Sequence, residues 1–236
     1  MNNEKLPKKS SRAEIDAFLG KVAAIPSIRP AGRRGRLIFA MDATASREPT
    51  WDHACHIQSQ MFAETAALGG LDIQLCYYRG YAEFSASPWL SRSEDLLTRM
   101  TAVHCLGGHT QIEKVLTYTI NETKEKRVNA LVMVGDCMEE SIDRLCQFAG
   151  ELGIRGVPAF LFHEGIDPVA GRAFKQLARL TQGAYCRFDA HSAQQLRDLL
   201  SAVAVYAAGG RRALENFSKH RGSTVQQLTH QMNKSR

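Results

Sequence analysis

Short apolar runs alternate with amphipathic stretches along this chain, and this alternation restricts its fold more than any other feature. The runs at 37–41 and 131–134 are continuous and mostly aliphatic, which is typical of strands buried on both faces of a parallel sheet. Stretches such as 112–120 and 142–152 place apolar residues three and four positions apart, as amphipathic helices do. About six such rounds predict an α/β fold with a mainly parallel sheet and helices on both of its faces.

Length and composition favour one folded domain. The chain has 236 residues, of which 44% are hydrophobic, enough to bury one core. No apolar run approaches the ~20 residues that a membrane-spanning helix needs. The charged residues at 1–12 are followed by no apolar signal core, and the six cysteines show no Cys-x-x-Cys spacing. We therefore expect a cytoplasmic protein with free thiols.

The net charge of +6 is concentrated at the two ends of the chain. Residues 1–36 hold nine Lys or Arg against three acids, and residues 209–236 hold six against one. We expect a basic arm with a short amphipathic helix at 1–35, a domain at 36–208, and a basic polar tail at 209–236. The basic ends could bind nucleic acid or another acidic surface. They lack a pattern of aromatic residues interleaved with bases, so solvated tails are the simpler interpretation.

Three oxygen-bearing side chains follow the first apolar run. Asp42, Thr44 and Ser46 stand at alternate positions directly after residues 37–41. Open α/β sheets bind ligands beyond the carboxyl ends of central strands, where this loop would lie. One carboxylate and two hydroxyls include no general base, but they suit a hard cation that prefers oxygen ligands. The pattern favours a magnesium-type site.

Two further segments extend this pattern. The Gly-Gly-His-Thr turn at 107–110 leads into a helical stretch, and the apolar run at 129–135 ends in Asp136. In kind and order, the three segments resemble the metal-ion-dependent adhesion site (MIDAS) of the von Willebrand factor A-type (vWA) family. The resemblance extends from residue 36 to about residue 208.

Two positions depart from the usual family pattern. The family usually has Ser where this chain has Thr44, and it often has Gly where this chain has Cys137. Neither change removes an oxygen ligand, so the resemblance still implies a complete site.

The resemblance implies a three-layer, Rossmann-like vWA fold with one short antiparallel edge strand near residues 81–85. It also implies that Mg²⁺ or Mn²⁺ is held by Asp42, Thr44, Ser46, Thr110 and Asp136. The hydroxyls of Thr44 and Ser46 would bind the ion directly and the two carboxylates largely through water. Thr110 would bind in either way, depending on the state of its loop.

The resemblance further implies a partner protein. An Asp or Glu of that partner would take the open coordination position of the ion. Intracellular, bacterial-like members of the family commonly act as adaptors in multiprotein assemblies, often with AAA-type ATPases. We therefore predict a metal-dependent protein-binding module that is not an enzyme.

Simpler interpretations exist for each residue alone. Asp42 could cap a helix, Thr110 could be an ordinary N-cap, and Cys137 could be an unreactive thiol. Glu139 and Glu140 could line the rim of the site or simply lie in a solvated helix start.

The sequence offers little support for an enzyme. It contains no Gly-x-x-x-x-Gly-Lys-Ser loop and no nucleophile elbow. Asp42 could be a nucleophile that becomes phosphorylated, but phosphatases of that kind require a second acid two residues later, and this chain has Thr44 at that position. A nucleic-acid binder and a metal-dependent hydrolase are therefore the alternatives to the adaptor.

Overall fold

The computed structural model describes residues 34–47 and 70–188, together with single residues and short stretches within 13–22 and 198–213. The helix predicted for 48–68 and most of the two basic ends lie outside the described residues. The division into arm, domain and tail stays a prediction.

In the described part of the chain, six strands form one sheet in the order β3-β2-β1-β4-β5-β6. The strands are β1 (Gly35–Asp42), β2 (Leu71–Arg79), β3 (Glu83–Ala86), β4 (Ala130–Gly135), β5 (Ala159–Glu164) and β6 (Ala184–Phe188). All neighbouring pairs are parallel except β2 and β3, which are antiparallel. The predicted α/β fold class, with one short antiparallel edge strand, is confirmed.

Helices connect the strands and cover the sheet. Those with defined bounds are α1 (Ser93–Thr101), α2 (Ile112–Glu125), α3 (Ile142–Ile154) and α4 (Pro168–Leu180). Residues 201–209 are also helical, so this segment includes Gly209, at which the sequence predicts the end of the last helix.

The start of α1 departs from simple rules for helix capping, whereas the start of α4 follows them. Ser91 or Ser93 is the cap expected for α1, but the N-cap residue is Arg92 and its side chain makes no capping hydrogen bond. At α4 the rule holds, because the Asp167 carboxylate accepts a hydrogen bond from the Val169 amide at 2.7 Å.

The side chains of β1 alternate between two cores, one on each face of the sheet. Leu37, Phe39 and Met41 belong to the core under α1 and residues 200–208. Ile38 and Ala40 belong to the core under α2, α3 and α4. Because both faces are covered, residues 37–41 of the strand are all apolar, as the sequence indicates.

Part of the predicted N-terminal arm packs against the first of these cores. Phe18 and Val22 are fully buried, and the Phe18 ring centroid lies 5.4 Å from that of Phe162 and 6.2 Å from that of Phe160. This amphipathic segment therefore packs against β5.

Strand β2 is more buried than its sequence indicates. The alternation of polar and apolar residues at 71–78 predicts a half-exposed strand, yet Gln74 and its neighbours on both sides are buried. The Gln74 side-chain nitrogen donates hydrogen bonds to the Tyr118 hydroxyl of α2 at 2.8 Å and to the Ser87 carbonyl at 2.9 Å, whereas its Oε1 atom is buried without a partner among the described residues. The expectation was wrong because β2 lies between two strands and under α2.

The sheet order places the ends of β1 and β4 side by side. From β1 the chain moves outward to β2, and β4 returns on the opposite side of β1. Met41 pairs with Val134, so Asp42 and Asp136 leave the same edge of the sheet at neighbouring positions. Open α/β sheets bind their ligands at such a topological switch point.

No helix in the described part of the chain is long and apolar enough to cross a membrane.

Candidate metal centre

Asp42 ends β1 with its side chain completely buried. The Thr44 amide donates a hydrogen bond to Asp42 Oδ1 at 2.8 Å, and the Tyr78 phenol donates one to Oδ2 at 3.1 Å. Burial raises the pKa of Asp42 to about 6, although the hydrogen bonds from Thr44 and Tyr78 oppose the shift. The negative charge of Asp136 raises this pKa further. At neutral pH the switch point therefore holds a buried carboxylate whose charge is only partly stabilised.

The two predicted hydroxyl ligands lie together directly after Asp42. Thr44 Oγ1 is 3.1 Å from Ser46 Oγ, with Thr44 buried and Ser46 exposed. A short 3₁₀ turn, Ala45–Arg47, holds this geometry, and the Arg47 amide donates to the Thr44 carbonyl at 3.0 Å. The Thr44 and Ser46 hydroxyls therefore lie between the buried Asp42 carboxylate and the protein surface.

Arg47 brings a positive charge to the same region. Its side chain is buried and forms an ion pair with Glu164 at the end of β5. Burial lowers the pKa of Arg47, while the charges of Asp136 and Asp42 oppose that shift. A cation at this site would share the two carboxylates with a nearby guanidinium.

Asp136 follows β4 and is partly buried. Its Oδ1 atom is buried and makes no hydrogen bond to any residue that the structure describes. Its backbone carbonyl lies 3.2 Å from His163 Nε2, and His163 Nδ1 lies 2.9 Å from the Tyr185 hydroxyl. Because a carbonyl can only accept, Nε2 carries the proton and Nδ1 accepts from Tyr185. Burial lowers the pKa of His163, which keeps the ring neutral in this positioning role.

Backbone hydrogen bonds fix the loop before α2 against both the Asp42 loop and the turn after β2. The Leu106 amide donates to the Ala43 carbonyl at 3.0 Å, and the His109 amide donates to the Gly80 carbonyl at 3.0 Å. A Cβ atom on Gly108 would lie 1.9 Å from the Gly80 oxygen, so this close approach requires glycine.

The hydroxyl of Thr110 interacts with the segment after β4. It accepts a hydrogen bond from the Glu139 amide at 2.9 Å and donates one to Glu140 Oε2 at 2.5 Å. The Thr110 amide donates to Glu139 Oε2 at 2.8 Å, and this bond, with a smaller contribution from His109, lowers the pKa of Glu139. Glu140 Oε1 also accepts from the Ile112 amide at the start of α2. Hydrogen bonds with Glu139 and Glu140 therefore hold Thr110 in place.

The structure thus brings four of the five predicted ligands together at one edge of the sheet. Asp42, Thr44 and Ser46 form one continuous group, and Asp136 is beside it. Thr110 is held by its two glutamate partners instead.

The Cys137 thiol lies close to the carboxylate of Asp42 as well as to that of its sequence neighbour Asp136. One ligand atom each from Asp42, Asp136 and Cys137 lie within 4.8 Å of one another. Burial raises the pKa of the Cys137 thiol, and the charges of Asp136 and Asp42 and a hydrogen bond to Asp136 raise it further.

These donor groups fit a divalent cation. The site offers two carboxylates, one of them with a buried oxygen that has no partner among the described residues, and two adjacent hydroxyls. A buried carboxylate oxygen without a partner is costly, and a cation would satisfy it.

Sequence reasoning assigned no role to three residues that shape this site. Tyr78 and His163 occur in strand patterns, where polar aromatic residues near a strand end are the signal that could have identified them. Arg47 directly follows Ser46, and a base adjacent to proposed cation ligands is a comparable signal.

No protein-family model matches the sequence, and no curated protein matches it. The fold, however, is common to many solved structures. It is an open, doubly wound α/β domain with its candidate site at the switch point, and the structures similar to it include vWA domains.

Three of these structures illustrate the likeness. The vWA domain of SpRpn10 has a TM-score of 0.59 at 12% identity, covering 71% of this chain and 94% of that chain. The vWF domain of the type V pili tip protein Mfa5 from Porphyromonas gingivalis has a TM-score of 0.59 at 9% identity, covering 82% and 99%. Proximal thread matrix protein 1 from the mussel byssus, with a zinc-occupied MIDAS motif, has a TM-score of 0.57 at 12% identity, covering 74% and 46%. The chain therefore has the vWA fold.

Proposed function

We propose that this domain binds a partner protein through a divalent cation at the ends of β1 and β4. The observation that carries the proposal is the pair of carboxylates at the switch point, where Asp136 Oδ1 is buried without a partner among the described residues. Asp42, Thr44, Ser46 and Asp136 are the proposed ligands in the conformation described above. Oxygen ligands alone favour Mg²⁺ or Mn²⁺.

When bound, the cation supplies an incompletely neutralised positive centre that accepts a carboxylate oxygen from an Asp or Glu of the partner. The chain contributes ligands of limited charge, because Thr44 and Ser46 are neutral. His163 positions Asp136 by donating a hydrogen bond to the backbone carbonyl of Asp136, and Tyr78 positions Asp42 by donating one to its carboxylate.

Thr110 is proposed as the mobile ligand of the site. Its hydroxyl is held by Glu139 and Glu140, so binding to the cation requires it to leave these partners. The two arrangements of the loop would define a metal-dependent switch between two states.

The solved structures support a binding role. One of them has a zinc-occupied MIDAS motif, and another is the tip protein of a pilus. Candidate partners include AAA-type ATPases, which can be tested by capture with and without chelator.

Isothermal titration of the chelator-stripped protein with Mg²⁺ and Mn²⁺ tests the site. We expect saturable binding that is lost in Asp42→Ala. Asp143→Ala, which removes an exposed acid in the first turn of α3, should bind as the unmodified protein does. Absence of saturable binding of Mg²⁺, Mn²⁺, Zn²⁺ and Co²⁺ alike to the unmodified protein would contradict the proposal, as would equal binding by both variants.

A further inference from the structure

The thiol of Cys137 belongs to the same cluster as the two carboxylates. Cys137 directly follows Asp136, and its sulfur lies within 4.8 Å of ligand oxygens of Asp42 and Asp136. Cys137 is partly buried, so its side chain lies between the interior and the surface, as Asp136 does.

The spacing is compatible with coordination of one ion by all three side chains. Zn²⁺ binds sulfur at ~2.3 Å and carboxylate oxygen at ~2.1 Å, so two of its tetrahedral ligands are separated by roughly 3.5 Å. Because the ligand atoms lie within 4.8 Å of one another, the side chains need to approach by at most about 1.3 Å, which rotations about their side-chain bonds can supply.

Among the five cysteines that the structure describes, Cys137 is the one that belongs to this cluster. Cys76 and Cys186 are buried within strands, and Cys146 lies on α3. Among the residues that the structure describes, Cys137 and the two carboxylates form the one group of three potential metal-ligating acids, histidines or cysteines at this spacing.

We propose that Cys137 is a metal ligand and that its sulfur makes the site prefer a thiophilic divalent cation of the Zn²⁺ class over Mg²⁺. The inference rests on the proposed function, since it concerns the ion bound at the same site. Mg²⁺ prefers oxygen ligands, whereas a thiolate suits Zn²⁺. On binding, the S–H bond breaks, its proton passes to solvent, and a sulfur lone pair forms the bond to the metal, with no change in oxidation state.

Competition titrations with Zn²⁺ and Mg²⁺ test this preference. Chelator-stripped full-length protein is compared with Cys137→Ser and with Cys146→Ser as the matched control. We expect Cys137→Ser to lose at least ~10-fold in Zn²⁺ affinity, the scale of losing a group that tunes a metal site. Its Mg²⁺ affinity should be kept or raised, because serine supplies an oxygen. Cys146→Ser should change neither affinity.

Two readouts on the unmodified protein make the test independent of how the variant folds. Co²⁺ bound at the site should show sulfur-to-metal charge-transfer absorption, which Asp42→Ala should abolish. Zn²⁺, but not Mg²⁺, should slow iodoacetamide alkylation of Cys137 relative to Cys146 in the same molecules.

The outcomes separate this proposal from the one it rests on. Asp42-dependent binding without the absorption band, and with unprotected Cys137, overturns the role of the thiol and leaves the cation site standing. Failure of Mg²⁺, Mn²⁺, Zn²⁺ and Co²⁺ alike to bind in an Asp42-dependent way overturns both proposals.

Discussion

At the scale of single residues, Asp42 destabilises the metal-free fold at neutral pH. Its pKa is raised from 3.8 to about 6. Between pH 3.8 and about 6, Asp42 is therefore mostly protonated in the folded state and mostly ionised in the unfolded state. The contribution of Asp42 to the free energy of unfolding is therefore fully present below pH 3.8 and is lost as the pH rises through about 6. The shift corresponds to a cost of up to about 3 kcal/mol above that pH.

We predict that Asp42→Asn stabilises the metal-free protein at pH 8 by about 1 to 3 kcal/mol, because asparagine keeps the shape and removes the buried charge. At pH 5 the gain should be smaller, since Asp42 is then largely protonated. Denaturant unfolding in chelator measures both values. Asp143→Asn, at an exposed position, serves as the control, and a loss of stability in Asp42→Asn at pH 8 would contradict the prediction.

Gly107 and Gly108 form a matched pair for testing the loop before α2. A Cβ on Gly108 would collide with the Gly80 backbone, whereas a Cβ on Gly107 meets no atom within 4 Å. We predict that Gly108→Ala lowers the free energy of unfolding by about 1 to 3 kcal/mol through steric overlap. Gly107→Ala should be neutral or stabilising by up to about 1 kcal/mol. Thermal and denaturant unfolding distinguish them, and equal effects would show that the loop can shift.

At the scale of elements, α2 is capped by an acid from a different part of the chain. Its own N-cap residue, Gln111, makes no side-chain capping bond. Glu140, from the segment between β4 and α3, accepts hydrogen bonds from the Ile112 and Glu113 amides instead. A carboxylate at a helix N-terminus also interacts favourably with the helix dipole. The cap therefore joins two segments beside the candidate site.

We predict that Glu140→Ala costs about 1 to 2 kcal/mol of stability, as expected when a capping acceptor is lost. Glu125→Ala is the matched control, because it removes an exposed acid at the opposite end of α2, where negative charge is unfavourable. This control should be neutral or slightly stabilising. Urea unfolding of the two variants measures the difference, and similar effects would argue against capping by Glu140.

At the scale of the whole molecule, the N-terminal segment forms part of the core. Phe18 packs on Phe160 and Phe162, far away in sequence. We predict that Phe18→Ala costs about 3 to 5 kcal/mol, as cavities left by buried phenylalanines do. Lys21→Ala, one helical turn away and exposed, should change stability by less than about 0.5 kcal/mol. Denaturant unfolding compares them, and a small effect of Phe18→Ala would mean that this segment detaches readily.

Much of the fold could be predicted because local patterns of apolar and polar residues indicate most of its strands and helices. The sequence of residues 184–188 predicts a strand, and β6 occupies those residues. Strand β1 extends the predicted run at 37–41 by two residues at its start and one at its end, and β4 lies within the predicted segment 129–135. Predictions failed where a distant partner decides the outcome. Burial of Gln74 depends on Tyr118, and the cap of α2 depends on Glu140. Neither contact leaves a periodic signal in the sequence.

For the candidate site, the sequence by itself determined which chemical groups follow each strand: Asp42 with its two hydroxyls, and Asp136 with its thiol neighbour. It also determined the alternation of strands and helices, because apolar periodicity is a local property of the chain. Only the tertiary structure decided that β1 and β4 lie side by side and that Thr110 is held by Glu139 and Glu140. The same is true of the cluster of Cys137 with both carboxylates. Strand order and side-chain contacts depend on how distant segments pack, and packing is settled by the free energy of the whole core.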